Sequence, residues 1–350
     1  MENNGLLSGE QIDFLSTEYL VLLTFSVFGS SSVVLVSIVK WRDLREQVPL
    51  LVQLTLADLL AAVILLSTSV LDKWRPNISE VTCHYSLPLS LTFYLISFLL
   101  VGLYAWESKN AIQGWRASPT EDESGQTQCR RRRVTIPVYA IAWLFPIALY
   151  LAYVFTPTNS AALNPLTESL TIVRNDSKYC TSCILFLHVG SNVCSKEEMS
   201  HDNYIRVIIF FVVITVMLSC SVIYYKVGKW YERHEQHIFP VEGDGRSRRR
   251  FKRVFSTSRN MVMVIVFCWT PALVLILLSM LMMLTPNIKQ RSLFGIYMIQ
   301  AASVSLQGFL NSMVYAWRRP NFTRAVLGEN TPLVSRNHMA FWDESMQTPI

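Results

Sequence analysis

Charged residues are scarce in this chain of 350 residues, because Asp, Glu, Lys and Arg together make up only 16% of it. A soluble domain carries about 25% charged residues and spreads its apolar residues among them. Hydrophobic residues account for 51% of this sequence. The composition therefore excludes an ordinary soluble enzyme, a disordered chain and a fibrous repeat. It favours a protein that exposes much of its surface to lipid.

Catalytic sequence motifs are also missing. The chain contains no H-E-x-x-H motif, no G-x-S-x-G motif, no P-loop and no pair of acidic residues within an apolar segment. Its basic runs, 130–133 and 246–253, border apolar segments. There they are typical of orientation signals that contact anionic lipid, and a docking surface for an acidic partner is the alternative. We expect no enzymatic activity, no resident cofactor and no nucleic-acid partner.

Seven apolar segments of near-bilayer length are present. A helix of about 20 apolar residues crosses the hydrocarbon core, and a helix satisfies all its backbone groups internally. The sequence predicts an all-α membrane protein, with a tail at 1–18 and a seven-transmembrane helix bundle at 19–317. The predicted spans are 19–40, 48–71, 84–106, 134–155, 204–227, 261–284 and 292–317.

Lysine and arginine are distributed unevenly around these spans. Residues 1–18 contain neither, whereas Lys40, Arg42 and Arg45 follow the first span. The first residues thus lack the basic region of a secretory signal, and we expect the first span to direct its own insertion. Most of the remaining basic residues fall in loops on the same side as residue 40. The positive-inside rule therefore predicts that the N-terminus is outside and the C-terminus is inside. The plasma membrane is favoured as the location, with an internal membrane as the alternative.

Four cysteines fall on the predicted outer side: Cys83, Cys180, Cys183 and Cys194. Four exterior thiols allow three connectivities, and the residues themselves do not choose among them. A zinc site that includes His188 is the less favoured alternative, because exterior cysteines usually pair with each other. Asn77 and Asn175 begin N-x-S motifs on the same side, so we predict that both are glycosylated.

Polar residues within the spans mark a candidate site. Asp58 is the only acidic residue well inside any predicted span, where it either binds a cation or proton or joins helices. Pro271 lies within the sixth span and is expected to kink it. The seventh span carries a polar seam made of Gln300, Ser303, Ser305, Gln307 and Asn311.

Several of these residues occur in recognisable motifs. Cys268-Trp269-Thr270-Pro271 matches C-W-x-P, and Asn311-Ser312-Met313-Val314-Tyr315 matches N-P-x-x-Y except for Ser312. The segment from Leu54 to Asp58 matches L-x-x-x-D. With seven spans, this set resembles the rhodopsin-like G-protein-coupled receptors. The Asn-Ser pair in the seventh span is similar to the cyclic-AMP-receptor-like group.

The resemblance implies roles for residues in the spans. A possible allosteric sodium ion would bind Asp58 and Ser97. A conformational switch would involve Cys268, Trp269, Pro271, Asn311 and Tyr315.

The resemblance also implies features outside the spans. Cys83 would form a disulfide with one of Cys180, Cys183 and Cys194. A short amphipathic juxtamembrane helix would follow the bundle at 318–328. From its own residues, we expect the cytoplasmic tail at 329–350 to be disordered. Besides the lipid bilayer, the implied partners are an extracellular ligand and a heterotrimeric G protein or arrestin.

One departure from the receptor pattern bears directly on function. The G-protein-facing D/E-R-Y motif becomes Glu107-Ser108-Lys109, so the usual arginine is absent. The resemblance as a whole predicts a signalling receptor with a switch in the sixth helix. The missing arginine favours the alternative, a non-signalling scaffold or trafficking protein. A transporter or channel is less favoured, because Asp58 is the single acid well inside the spans.

Overall fold

The computed structural model describes residues 7–39, 49–74, 76–114, 124–155, 183–187, 207–208, 210–223, 225–226, 229, 245–284 and 290–314. Within these ranges the chain is helical except at 7–8, the turn at Leu306 and the segment 183–187, and no strand occurs there. The helices are α1 (Gly9–Val39), α2 (Pro49–Trp74), α3 (Pro76–Gly114), α4 (Ser124–Phe155), α5 (Phe210–Ile223), α6 (Gly245–Leu284), α7 (Phe294–Ser305) and α8 (Gln307–Ser312). A 3₁₀ turn, Gln290–Leu293, precedes α7.

Six helical segments are long and apolar enough to cross a membrane. They are Gly9–Val39, Leu50–Trp74, Tyr85–Trp106, Pro137–Phe155, Arg259–Leu281 and Arg291–Ser312. These segments confirm a multi-pass, all-helical membrane protein and correspond to the predicted spans other than the fifth. In the fifth, 204–227, the described apolar helix α5 is shorter than a span. The seventh crossing, the orientation and the juxtamembrane helix at 318–328 therefore stay predictions.

The start of α1 lies ahead of the predicted first span. The helix begins at Gly9, inside the segment predicted as a tail. The Ser8 hydroxyl accepts a hydrogen bond from the backbone N–H of Gln11 (3.3 Å), and the Gln11 side chain accepts one from the Ser8 N–H (3.0 Å). This reciprocal pair is a capping box, which satisfies two backbone donors at a helix start. The S-x-x-Q pattern was a usable signal for this boundary.

Helix packing places α8 among the other helices. α2 packs against α1 and α3, α3 packs against α4 and α6, and α6 packs against α7. The short α8 contacts α1, α2 and α6. Polar side chains on α8 can therefore meet residues from several helices inside the bundle.

The helices divide clearly into lipid-facing and core-facing sides. Large apolar side chains such as Phe28, Leu144 and Phe267 are more than half exposed, as expected for a surface in contact with lipid. Among the six described segments, α4 is the most peripheral, since only 11% of its most apolar stretch is buried, against 50% for α2, α3 and α6. A lipid bilayer is therefore a partner of this protein.

Several hydroxyl side chains within the spans bond to the backbone of their own helix. Ser37, Thr55 and Thr270 each donate to the carbonyl four residues earlier, at 2.6–2.8 Å. These bonds satisfy polar groups in a medium that offers no water. Pro271, next to Thr270, has no N–H to donate to the carbonyl of Phe267 and interrupts the hydrogen-bond ladder of α6.

Candidate functional site

Asp58 lies on α2 inside the bundle, with 1% of its surface exposed. Its two carboxylate oxygens accept hydrogen bonds from two amide side chains of α8. Gln307 Nε2 donates to Oδ1 (3.0 Å) and Asn311 Nδ2 donates to Oδ2 (2.6 Å). The Ser97 hydroxyl of α3 also bonds to the carboxylate and lies 3.4 Å from Gln307 Nε2. The buried carboxylate is therefore surrounded by neutral donors from two other helices.

The local structure of the last span positions these two amides. Gln307 and Asn311 are four residues apart and so lie on one face of α8. A turn at Leu306 separates α7 from α8, and backbone bonds from Leu306 to Ala302 (3.1 Å) and from Leu310 to Leu306 (2.9 Å) continue across it. Both amides consequently point toward α2 and α3.

Trp269 of α6 is linked to the same amide. Its indole N–H donates to Gln307 Oε1 at 2.5 Å. The ring also makes edge contacts with Phe98 and Tyr94 of α3, with centroids 4.8 and 5.4 Å away. Gln307 therefore bonds directly to side chains of α2, α3 and α6. We call Asp58, Ser97, Trp269, Gln307 and Asn311 the Gln307 network.

Unpartnered oxygens lie beside this network. Ser30 Oγ and Asn311 Oδ1 are buried and have no hydrogen-bond partner among the described residues. Ser30 Oγ and Asp58 Cβ both lie beside Gly308, because a Cβ built on Gly308 would lie 2.8 Å from the first and 3.6 Å from the second. Carboxylate, hydroxyl and carbonyl oxygens are the ligands that hard cations prefer. Asp58, Ser97, Asn311 and Ser30 carry oxygens of these types.

Comparison with known families identifies the group to which the chain belongs. The sequence model of transmembrane protein 116 matches residues 13–335, which cover most of the chain. The chain belongs to the transmembrane protein 116 family. The receptor-like motifs also resemble transmembrane protein 116 when Ser312 and the missing arginine are included. The match to the sequence model confirms this resemblance at the level of the family. The matched range contains every member of the Gln307 network.

A second buried polar pair joins the first and last spans of this transmembrane protein 116 family member. The Tyr19 hydroxyl and the Gln300 side-chain amide lie 3.0–3.2 Å apart. Both residues are buried, at 1% and 0% exposure. The pair fixes α7 against α1. Together with Gln307 and Asn311, it shows that much of the predicted polar seam faces inward.

The structure joins Cys83 to Cys183, one of the three partners that the sequence left open. Their Cα atoms are 5.2 Å apart. Cys83 lies just before the apolar span of α3, so the bridge holds the segment from Cys183 to Leu187 at this end of the bundle. Cys180 and Cys194 lie outside the described residues.

Other predicted sites are not covered by the described part of the chain. Tyr315 and Asn175 lie outside the described residues. For Asn77, Glu107, Ser108 and Lys109 the structure gives the helical backbone of α3 only. The glycosylation sites, the G-protein-facing residues and the role of Tyr315 remain predictions.

Sequence reasoning missed the central position of Gln307. It placed this residue in a polar seam, but it assigned the switch to Trp269 and the cation site to Asp58 separately. The available signal was the spacing of four between Gln307 and Asn311, which places two amides on one helical face. The hydrogen bond between Gln307 and Trp269 depends on the relative position of α6 and α8, which the sequence alone does not give.

Proposed function

We propose that this member of the transmembrane protein 116 family is a seven-helix signalling receptor of the G-protein-coupled type. In this mechanism a ligand bound near the Cys83–Cys183 end changes the position of α6. The movement opens a cleft at the opposite end to a G protein or arrestin. The hydrogen bond between Trp269 and Gln307 carries the proposal, because it couples α6 to a buried carboxylate on another helix.

In this proposal the bundle has two alternative packings. Pro271 interrupts the ladder of α6 two residues after Trp269, so α6 can bend close to the network. Bending there would separate the indole N–H from Gln307 and would shift the ring against Phe98. A ligand that binds one packing more tightly shifts the population toward that packing. The free energy of this shift is no larger than the difference between its binding free energies for the two packings. In this proposal Asn311 and Tyr315 stabilise the open packing.

An allosteric sodium ion is the second element of the proposal. Sodium would bind the oxygens of Asp58 and Ser97, with Asn311 Oδ1 and Ser30 Oγ available beside them. The ion would bind beside the amide donors at the carboxylate and would hold the packing in which Trp269 is close to Gln307. The absence of hydrogen-bond partners for Ser30 Oγ and Asn311 Oδ1 among the described residues supports this placement.

We expect sodium to raise the melting temperature of the purified protein, compared with N-methylglucamine at equal ionic strength, because the ion binds only the folded bundle. Asp58→Asn should abolish this difference, since it removes the anionic ligand. Asp72→Asn is the matched control: Asp72 lies on the same helix, is partly buried and bonds to Ser16 at 3.3 Å. A sodium effect that persists in Asp58→Asn would contradict the assignment.

The receptor function is tested by G-protein activation in cells, measured across all G-protein classes without added ligand. The wild type is compared with Ser108→Arg/Lys109→Tyr, which restores the receptor motif, after surface expression of both is matched. We expect a signal above mock-transfected cells for the wild type and a larger one for the restored variant, because arginine adds a bidentate donor. Silence of both variants would count against the proposal.

A non-signalling scaffold or trafficking protein is the alternative function. The observation that favours it is Glu107-Ser108-Lys109, which lacks the arginine that the resemblance would require for coupling. A signal confined to the restored variant would support this alternative. It would mean that the switch operates while coupling has been lost.

A further inference from the structure

Glu18 is an acidic residue of α1 with a carboxylate oxygen that nothing satisfies. Its Oε2 atom is buried and has no hydrogen-bond partner among the described residues. The residue as a whole is only partly buried, so the carboxylate lies at the edge of the bundle. Leaving such an oxygen unpaired is costly, and acidic residues in membrane helices normally face a partner. Glu18 therefore lacks the donor that its surroundings call for.

Glu18 lies on the side of α1 that packs against the last span. Phe14, one turn earlier on the same face, makes an edge contact with Phe294 of α7, with ring centroids 6.4 Å apart. Gly29, three turns later on this face, comes close to Phe309 of α8, since a Cβ built on it would lie 3.2 Å from the Phe309 Cα. The carboxylate is thus placed between these two contacts, at the boundary of α1 and α7.

No described cation neutralises this carboxylate. Lys73 of α2 lies at the same end of the bundle, but its Nζ is 3.5 Å from Asp13 and 2.8 Å from the Thr17 hydroxyl. This is the only ion pair within the part of the chain that the structure describes. Neither Glu18 nor Asp72 has a lysine or arginine within 4 Å there. This end of α1 and α2 therefore has more carboxylate charge than cationic charge.

An aromatic ring lies beside the carboxylate. Phe14 and Glu18 are four residues apart on α1, which places their Cβ atoms about 5–6 Å from each other. The Phe14 side chain is 56% exposed, so its contact with α7 leaves much of the ring accessible. A cation within about 6 Å of a ring centroid is attracted to the ring face. A carboxylate and a ring at this spacing can contact one ammonium group together, whereas an anion would be repelled.

We propose that Glu18 and Phe14 bind an ammonium group at the level of the lipid headgroups. Glu18 lies about 8 Å along the helix from Asp13, whose pairing with Lys73 marks the charged end of the bundle. Phe25, two turns beyond Glu18 on the same face, is 53% exposed, so lipid can reach this face. The ammonium belongs to a lipid headgroup such as phosphatidylethanolamine or to a soluble amine. The inference goes beyond the proposed function, because binding here requires no signalling.

The test measures thermal unfolding of the full chain in nanodiscs of phosphatidylglycerol, a lipid without an ammonium group. One arm adds phosphatidylethanolamine to the bilayer. The other adds ethanolammonium chloride to the buffer, against potassium chloride at equal ionic strength and constant sodium. Each arm compares the wild type with Glu18→Gln, which keeps the shape and removes the charge. Glu10→Gln is the matched control, because it makes the same change at an exposed position of α1.

We expect the wild type to melt about 2–4 °C higher with the ammonium in at least one arm, because the ligand binds only the folded bundle. Glu18→Gln should lose this shift, and Glu10→Gln should keep it. A shift with phosphatidylethanolamine alone would identify a lipid headgroup as the ligand. A shift with ethanolammonium would show that a soluble amine suffices. No shift in either arm, or equal shifts in the wild type and Glu18→Gln, would overturn the proposal.

Two further comparisons keep the test decisive. Phe14→Leu should reduce the shift by about half, through loss of the ring, whereas Phe25→Leu should retain it. Equal shifts in these two variants would overturn the role of Phe14. Where Glu18→Gln does not fold, Glu18→Asp keeps the charge but withdraws it by one methylene and should reduce the shift. An unchanged shift in Glu18→Asp would then overturn the site.

Discussion

Replacing Gln307 with leucine is expected to lower the free energy of unfolding by about 2–3 kcal/mol, because a buried donor then has no acceptor. The Trp269 indole N–H loses its partner at 2.5 Å, and Asp58 Oδ1 loses its donor at 3.0 Å. Leucine is close to glutamine in volume, so little change in packing accompanies the loss. Unfolding in mixed micelles with increasing SDS measures the effect.

The matched control for this substitution is Gln53→Leu. Gln53 lies on α2 and accepts one hydrogen bond from Trp143 Nε1 at 3.3 Å, in a part-buried position. Hydrogen bonds between membrane helices average about 0.6 kcal/mol, so the control should lose less than about 1 kcal/mol. Equal losses for the two variants would contradict the central position assigned to Gln307.

A double-mutant cycle isolates the bond that carries the functional proposal. Trp269→Phe removes the indole N–H together with part of the ring, and Gln307→Leu removes the acceptor. Because either single substitution already breaks this bond, the double variant should be more stable than the sum of the two single losses predicts, by about 1 kcal/mol. Strict additivity would show that α6 and α8 are not coupled through this pair.

Gly308→Ala is expected to destabilise the protein by about 1–3 kcal/mol, the usual effect of adding a methyl group to a packed interior. A Cβ at Gly308 would lie 2.8 Å from Ser30 Oγ and even closer to Ser26 Oγ. Gly29 of α1 makes a similar close approach, since a Cβ built on it would lie 3.2 Å from the Cα of Phe309. Small residues therefore allow α1 and α8 to pack closely, as in other membrane bundles.

Gly295→Ala provides the control within the same span. Nothing lies within 4 Å of the Cβ position at Gly295, and this glycine is in helix α7. Alanine should therefore be neutral or should stabilise by about 0.5–1 kcal/mol, because it restricts the unfolded chain more than glycine does. Adding Ser26→Ala to Gly308→Ala should recover part of the loss by removing the nearest oxygen. A Gly308→Ala variant as stable as Gly295→Ala would refute the close approach.

Local properties of the chain explain which predictions agree with the structure. Six of the seven predicted spans follow from apolar length, since a helix is the only way for a single segment to satisfy its backbone in lipid. Pro271 lies inside α6 as the sequence requires. The burial of Asp58 likewise follows from its place in an apolar segment, because an acid there must face the interior.

The partners of these residues depend on packing between helices. Asp58 is separated from Gln307 by 249 residues and from Asn311 by 253. The rotation of α8 about its axis, and hence the direction of its amides, depends on side chains of α1, α2 and α6. The same packing brings Trp269 to Gln307. No periodicity within one segment contains that information.

The sequence by itself determined the class of this protein, the course of most of its helices and the set of residues that belong to the interior. These follow from hydropathy, helix periodicity and the cost of leaving polar groups unpaired in lipid. The tertiary structure alone decided that Cys83 pairs with Cys183, that Gln307 joins three other helices and that Ile184–Leu187 lies within the core. Each of these contacts joins segments far apart in the chain, and only the packing of the assembled bundle brings them together.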